Sequence, residues 1–186
     1  MNVLTDSTWR VWDDAVRRDD IDRALRAFYA DLDQAVADRR PVCNASGRCC
    51  KFEAYGHRLY VTGLEIAWFV NALGPAPPKT STANSPCVVE ASFALRQLEP
   101  ATSRQPAATT PNCPYQIDGL CSTHAIRPLG CRAFFCEEGT EAWQQDTTER
   151  FLDRLKALHA GHDLPYAYME WRAGLAEANQ FIAGST

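Results

Sequence analysis

Between Ser7 and Asp38 apolar residues return at three- and four-residue steps: Trp9, Trp12 and Val16, then Ile21, Leu25, Phe28, Leu32 and Ala35. That is the spacing of one helical face, so the segment predicts helix, with a joint near Asp19-Asp20. Its other face is dense in Asp and Arg and reads as a solvated surface laced with i,i+4 pairs. Further on, Arg58-Leu59-Tyr60-Val61 reads as a short extended piece leading into a helix that starts near Thr62. Thr62 and Glu65 have capping-box spacing ahead of Ile66, Trp68, Phe69 and Leu73, and Gly74 with Pro75, Pro77 and Pro78 ends that helix. Residues 74–86 and 100–112, rich in Pro, Ser, Thr and Ala, read as loops. Between them a short helix over Val88–Leu98 packs Val89, Phe93 and Leu95 inward.

Two more helical patterns close the chain, Glu141–His159 with Phe151, Leu152, Leu155 and Leu158, and Pro165–Ile182 with Tyr168, Trp171, Leu175 and Ile182. No internal repeat is visible. The predicted fold class is mainly α, with helices enclosing an irregular, cysteine-rich metal-binding centre. The expected organisation is a single domain over 1–186, made of an N-terminal helical segment 7–38, a cysteine-cluster region 43–136 and a C-terminal helical segment 141–182.

Charge and length narrow the function. A chain of 186 residues with a net charge of −4 has room for one core and carries basic residues interleaved with acids, without the basic stripe of a nucleic-acid binder. No apolar run approaches the ~20 residues that cross a bilayer, so no membrane partner is expected. The N-terminus Met1-Asn2-Val3-Leu4-Thr5-Asp6 turns acidic at once, unlike a signal peptide, so the expected location is the reducing cytoplasm.

Eight cysteines in such a compartment point to metal or redox chemistry rather than to a disulfide framework. None precedes Cys43 and none follows Cys136, leaving both helical ends free of thiols. Cys113-Pro-Tyr-Gln-Ile-Asp-Gly-Leu-Cys121 sets two thiols on either side of a hairpin signalled by Asp118-Gly119. Arg127-Pro128-Leu129-Gly130-Cys131-Arg132 then supplies turn chemistry at Pro128–Gly130, predicting free backbone N–H groups beside the Cys131 sulfur. Arg127 and Arg132 flank that turn and offset thiolate charge. Cys49-Cys50 are adjacent and expected to diverge, so that either both reach different centres or one packs as a small hydrophobe.

On these residues the chain resembles the YkgJ-like cysteine-cluster family, a zinc- or iron-chelating domain named for a CxxCxxCC signature. Cys43-x5-Cys49-Cys50 followed by Lys51-Phe52 looks like its first motif, with Thr62-Gly-Leu-Glu65 like the helix start after it. Cys113-Pro-Tyr115, Cys121, Arg127-Pro128-Leu129-Gly130-Cys131-Arg132 and Cys136 look like its second. The resemblance covers residues 43–136 and departs at three places. Ser46 stands where the signature has a cysteine, Phe135 where relatives often have proline, and His124 where an aromatic is common.

The resemblance implies a metal ion or cluster as partner, held by Cys43, Cys49, Cys50, Cys113, Cys121, Cys131 and Cys136. Cys87 lies outside both motifs and reads as an ordinary cysteine, or as the replacement for the ligand missing at Ser46. Thiolate-rich sites select zinc, copper(I) or iron–sulfur clusters. The wide spacings suit a larger cluster or two metals sharing ligands, and the flagellin lysine methylases, with a related cysteine domain, are associated with an iron–sulfur cluster. Zinc and iron both remain open.

Among the histidines, His124 is the better ligand candidate. His159-Ala-Gly-His162 reads as a helix C-cap and His57 as a single residue. The five tryptophans read as core. No Gly-rich phosphate loop, GxSxG elbow or HExxH helix appears, so any enzyme activity would come from the metal itself. A structural or redox metal protein is the leading reading. A metal-dependent enzyme related to methyl transfer and a metal-stabilised interaction module are the alternatives, and no particular protein partner is indicated.

Overall fold

The computed structural model describes residues 4–74 and 111–184. The expected helix Val88–Leu98, the loops around it and Cys87 lie outside those residues. The described chain is mainly helical: α1 (Asp6–Val16), α2 (Asp19–Arg39), α3 (Phe52–Tyr55), α4 (Gly63–Ala72), α5 (Leu129–Ala133), α6 (Glu141–Gly161) and α7 (Trp171–Gly184). Two short antiparallel ribbons join them, β1 (Tyr60–Thr62) with β4 (Tyr168–Glu170), and β2 (Gln116–Ile117) with β3 (Leu120–Cys121). Among the described residues no helix is long and apolar enough to cross a membrane.

The N-terminal stripe folds as its periodicity predicts. Trp9, Trp12 and Val16 of α1 and Ile21, Leu25, Phe28 and Leu32 of α2 are buried, and the break between the helices falls at Arg17-Arg18. The charged face carries i,i+4 pairs, Arg17 with Asp13 and Arg26 with Asp22. Trp9 and Trp12 meet edge to face at 5.0 Å, and the Trp12 indole N–H donates to the carbonyl of Pro165 at 2.8 Å. Four tryptophans are buried, whereas Trp143 is half-buried.

Helix α4 sits at the centre, buried without a break from Gly63 to Phe69, because α1 packs on one flank and α7 on another. It opens on the predicted capping box: the Thr62 hydroxyl accepts the Glu65 N–H at 3.2 Å, and Glu65 accepts the Thr62 N–H at 2.9 Å. A Cβ on Gly63 would run into the buried indole of Trp12, which is why α1 can lie so close.

Two sequence expectations are corrected here. The last helix starts at Trp171 rather than at Pro165, since Tyr168–Glu170 is drawn out to pair with β1 and Trp171 N–H bonds the Leu59 carbonyl at 2.9 Å. His159 is no cationic cap. It is buried, its Nδ1 lies 2.8 Å from the Pro165 carbonyl, and burial pushes its pKa down, which favours the neutral ring with Nδ1–H as donor.

Candidate metal centre

The first cysteine group approaches the second through three backbone-defined contacts. Gly47, at φ 66°, enters a single 3-10 turn over Arg48–Cys50, and its carbonyl accepts the Gln116 side-chain amide at 2.9 Å. A Cβ on Gly47 would collide with the carbonyl of Gly119, so only glycine admits this approach. Next to it the Cys113 N–H donates to the Cys50 carbonyl at 2.7 Å. Phe69 of α4 holds the segment from above, meeting the rings of Tyr115 and Trp171 edge to face at 4.8 Å each.

The hairpin at Asp118-Gly119 has the geometry its residues predict. Ile117 pairs with Leu120, leaving two loop residues with φ of 50° and 82°, as a type I′ turn demands. It carries Cys121 back towards Cys50. The Pro128–Gly130 segment behaves differently from expectation: Pro128 caps α5, and the N–H groups of Cys131 and Arg132 both bond the Pro128 carbonyl at 3.0 and 3.2 Å. The N–H groups of Cys131 and Arg132 are thus spent within the helix turn, and the Leu129 N–H goes to Glu65 at 2.8 Å.

Five thiols gather at this junction. Cys49 and Cys50 do not diverge: their sulfurs lie 3.9 Å apart in the tight 3-10 turn. Cys50 also lies near Cys113 and Cys121, and these neighbouring thiols together with burial push its pKa well up. The same contacts hold its partners down, Cys49 to about 7 and Cys121 to about 6, with Cys113 also lowered. Cys131 is close enough to feel the charges of Cys113, Cys121 and Cys49, and burial pushes its pKa well above the usual thiol value.

Two cationic expectations separate. Arg127 faces the thiols and favours the ionised form of Cys49, Cys121 and Cys131, while its guanidinium bonds the His124 and Cys131 carbonyls. Arg132 turns into the fold instead. It is 5 % exposed, grips both carboxylate oxygens of Asp33 at 2.8 and 2.7 Å and lies over the Tyr29 ring at 4.5 Å.

The other predicted ligands stand apart. Cys43 is exposed. Cys136 is half-buried with its sulfur 3.6 Å from the hydroxyl of Ser46, the position that departs from the cysteine signature. Burial, with Arg127 and Arg132 adding positive charge, lowers the pKa of His124 to about 4.

The donor set is soft, five sulfurs from three separate stretches of chain, which suits zinc or iron over hard cations. The Trp171 indole N–H lacks a hydrogen bond of good geometry, yet it lies towards the Cys113 sulfur and favours its thiolate. Among the described residues, however, no group of three or more His, Cys, Asp or Glu side chains is placed to hold a metal ion. The thiols are gathered but not closed. Sequence reasoning missed Trp171 as a neighbour of the site, because its helical spacing marks it equally well as core.

No family model, curated protein or solved structure matches this chain.

Proposed function

We propose that this protein binds zinc or an iron centre through cysteine thiolates, with Cys49, Cys50, Cys113, Cys121 and Cys131 as the core donors and helices enclosing the site. The observation that carries the reading is the packing of the two cysteine groups against each other, where the Cys113 N–H donates to the Cys50 carbonyl at 2.7 Å and the Cys49 and Cys50 sulfurs lie 3.9 Å apart. Five thiols crowded without a metal repel one another as they ionise, whereas a divalent ion converts that repulsion into ligation. The resemblance to the cysteine-cluster family supports the same reading. Cys43 and Cys136 flank this core as outer candidates, joined to it through the Ser46 loop.

Arg127 would offset the charge of the ligated sulfurs, and Trp171 would donate to Cys113. The metal would tie three segments together and so serve stability. The test is removal under reducing conditions in the absence of oxygen. Because the ligands come from distant segments, binding free energy is folding free energy, and verified loss of metal lowers the melting temperature by about 10 °C or more. An unchanged melting curve after verified removal contradicts a structural metal.

A further inference from the structure

Beside the thiols lies a cleft of ≈ 180 Å³ whose lining includes Cys49 and Cys131. One wall is His57 stacked on Phe134, ring centroids 5.3 Å apart and 15° from parallel. The lining also includes Tyr60 and Tyr168, neighbours across the β1–β4 ribbon with centroids at 5.8 Å. Both tyrosines are exposed, an unusual use of aromatic area unless something covers it. Arg58 is exposed and also lines the cleft, which contains no carboxylate. Among the described residues no carboxylate pairs with the Arg58 guanidinium.

Size, shape and charge limit the ligand. The volume is below the roughly 300–1,000 Å³ of sites for drug-sized molecules, so a single ring with a short substituent fills it. Aromatic walls favour a planar π body, and one unpaired guanidinium suits a carboxylate, which it can bind with two parallel hydrogen bonds. We propose that this cleft binds a small aryl carboxylate, with its ring against these aromatic side chains, its anion on Arg58 and its far edge over Cys49 and Cys131. The proposal places a ligand at the mouth of the metal site and so rests on that reading for its significance. Binding itself depends only on Arg58 and the rings.

The probe is benzoate, titrated into the full chain as purified, with metal content measured on the same preparation. Benzyl alcohol and acetate serve as controls for charge and ring. Benzoate should bind at millimolar concentration or better, benzyl alcohol and acetate should each bind about tenfold more weakly, and Arg58→Gln should weaken benzoate binding about tenfold. NMR contacts should run from the benzoate ring to Tyr60 and Tyr168. Arg58 is exposed, so the variant should keep its melting temperature, and Tyr168→Leu provides a second, independent loss of affinity. The proposal is overturned if benzoate shows no binding at about 10 mM, if benzyl alcohol binds equally well, if Arg58→Gln leaves the affinity unchanged, or if the contacts map elsewhere. Benzoate binding to a metal-free preparation would overturn the metal reading alone; a metal-loaded protein indifferent to benzoate would overturn this one alone.

Discussion

Glu65 accepts the backbone N–H of Leu129 at 2.8 Å, joining the start of α4 to the turn that carries Cys131. The same carboxylate takes the Tyr29 hydroxyl at 3.1 Å and both the N–H and hydroxyl of Thr62, at 2.9 and 3.2 Å, while only 1 % exposed. One buried side chain thus ties α2, α4 and α5 together. Each carboxylate oxygen receives one backbone N–H, so an amide in either orientation would set its NH2 against a donor. Glu65→Gln should therefore cost about 2–3 kcal/mol and lower the melting temperature by about 5–10 °C. Calorimetry of the variant checks it, and a loss below about 1 kcal/mol would contradict the bridging role.

Gly47 tests how the two cysteine groups are brought together. With φ at 66° and the Gly119 carbonyl in the path of any Cβ, Gly47→Ala should destabilise the fold by about 1–3 kcal/mol. It should also loosen the Gln116 contact and lower metal content per chain, because Cys49 and Cys50 follow directly. Urea unfolding and metal analysis on the same sample measure both effects, and full stability with full metal content would contradict the close approach.

Acid sensitivity follows from two histidines, His159 buried and His124 half-buried. The folded state resists protonating His159 and His124, the latter held at about 4, whereas the unfolded chain takes up these protons below ~6.5. The stability they contribute is fully present above ~6.5 and is lost as the pH falls through the folded values. Urea midpoints should fall from pH 7 to pH 5, and His159→Gln should flatten that slope while lowering stability at pH 7. An unaltered slope in the variant would show that His159 takes no part.

The cysteines should be unequal. The Cys50 sulfur lies 3.9 Å from that of Cys49 and near Cys113 and Cys121, and Cys131 feels the charges of Cys49, Cys113 and Cys121, whereas Cys43 is exposed. Cys50→Ser and Cys131→Ser should lose most of the metal, since serine is a hard, protonated donor, while Cys43→Ser should keep most of it. Metal per chain, measured in parallel purifications, decides; equal losses in all three would place Cys43 inside the ligand set.

Local signals were the legible part of the fold. The capping box at Thr62 and Glu65, the Asp118-Gly119 turn and the stripe of α1 and α2 each depend on residues close in sequence, and each appears as its spacing implies. What escaped is long-range. The pairing of Tyr60–Thr62 with Tyr168–Glu170 unites segments far apart in sequence, and nothing local to Pro165–Glu170 distinguishes strand from helix. Arg132 reads as a charge beside a thiol, but Asp33 and the Tyr29 ring, both on α2, pull it inward. In the candidate site, residue types showed which side chains carry soft-donor chemistry. Only the fold separates Cys50 at the centre from Cys43 at the exterior.

X-ray absorption at the metal edge of the protein purified without oxygen tests the central claim most directly. The account predicts zinc or iron bound to the chain, with a first shell dominated by sulfur at ~2.3 Å, and loss of that shell in Cys131→Ser. A chain that retains no metal, or a first shell of oxygen and nitrogen alone, would contradict it.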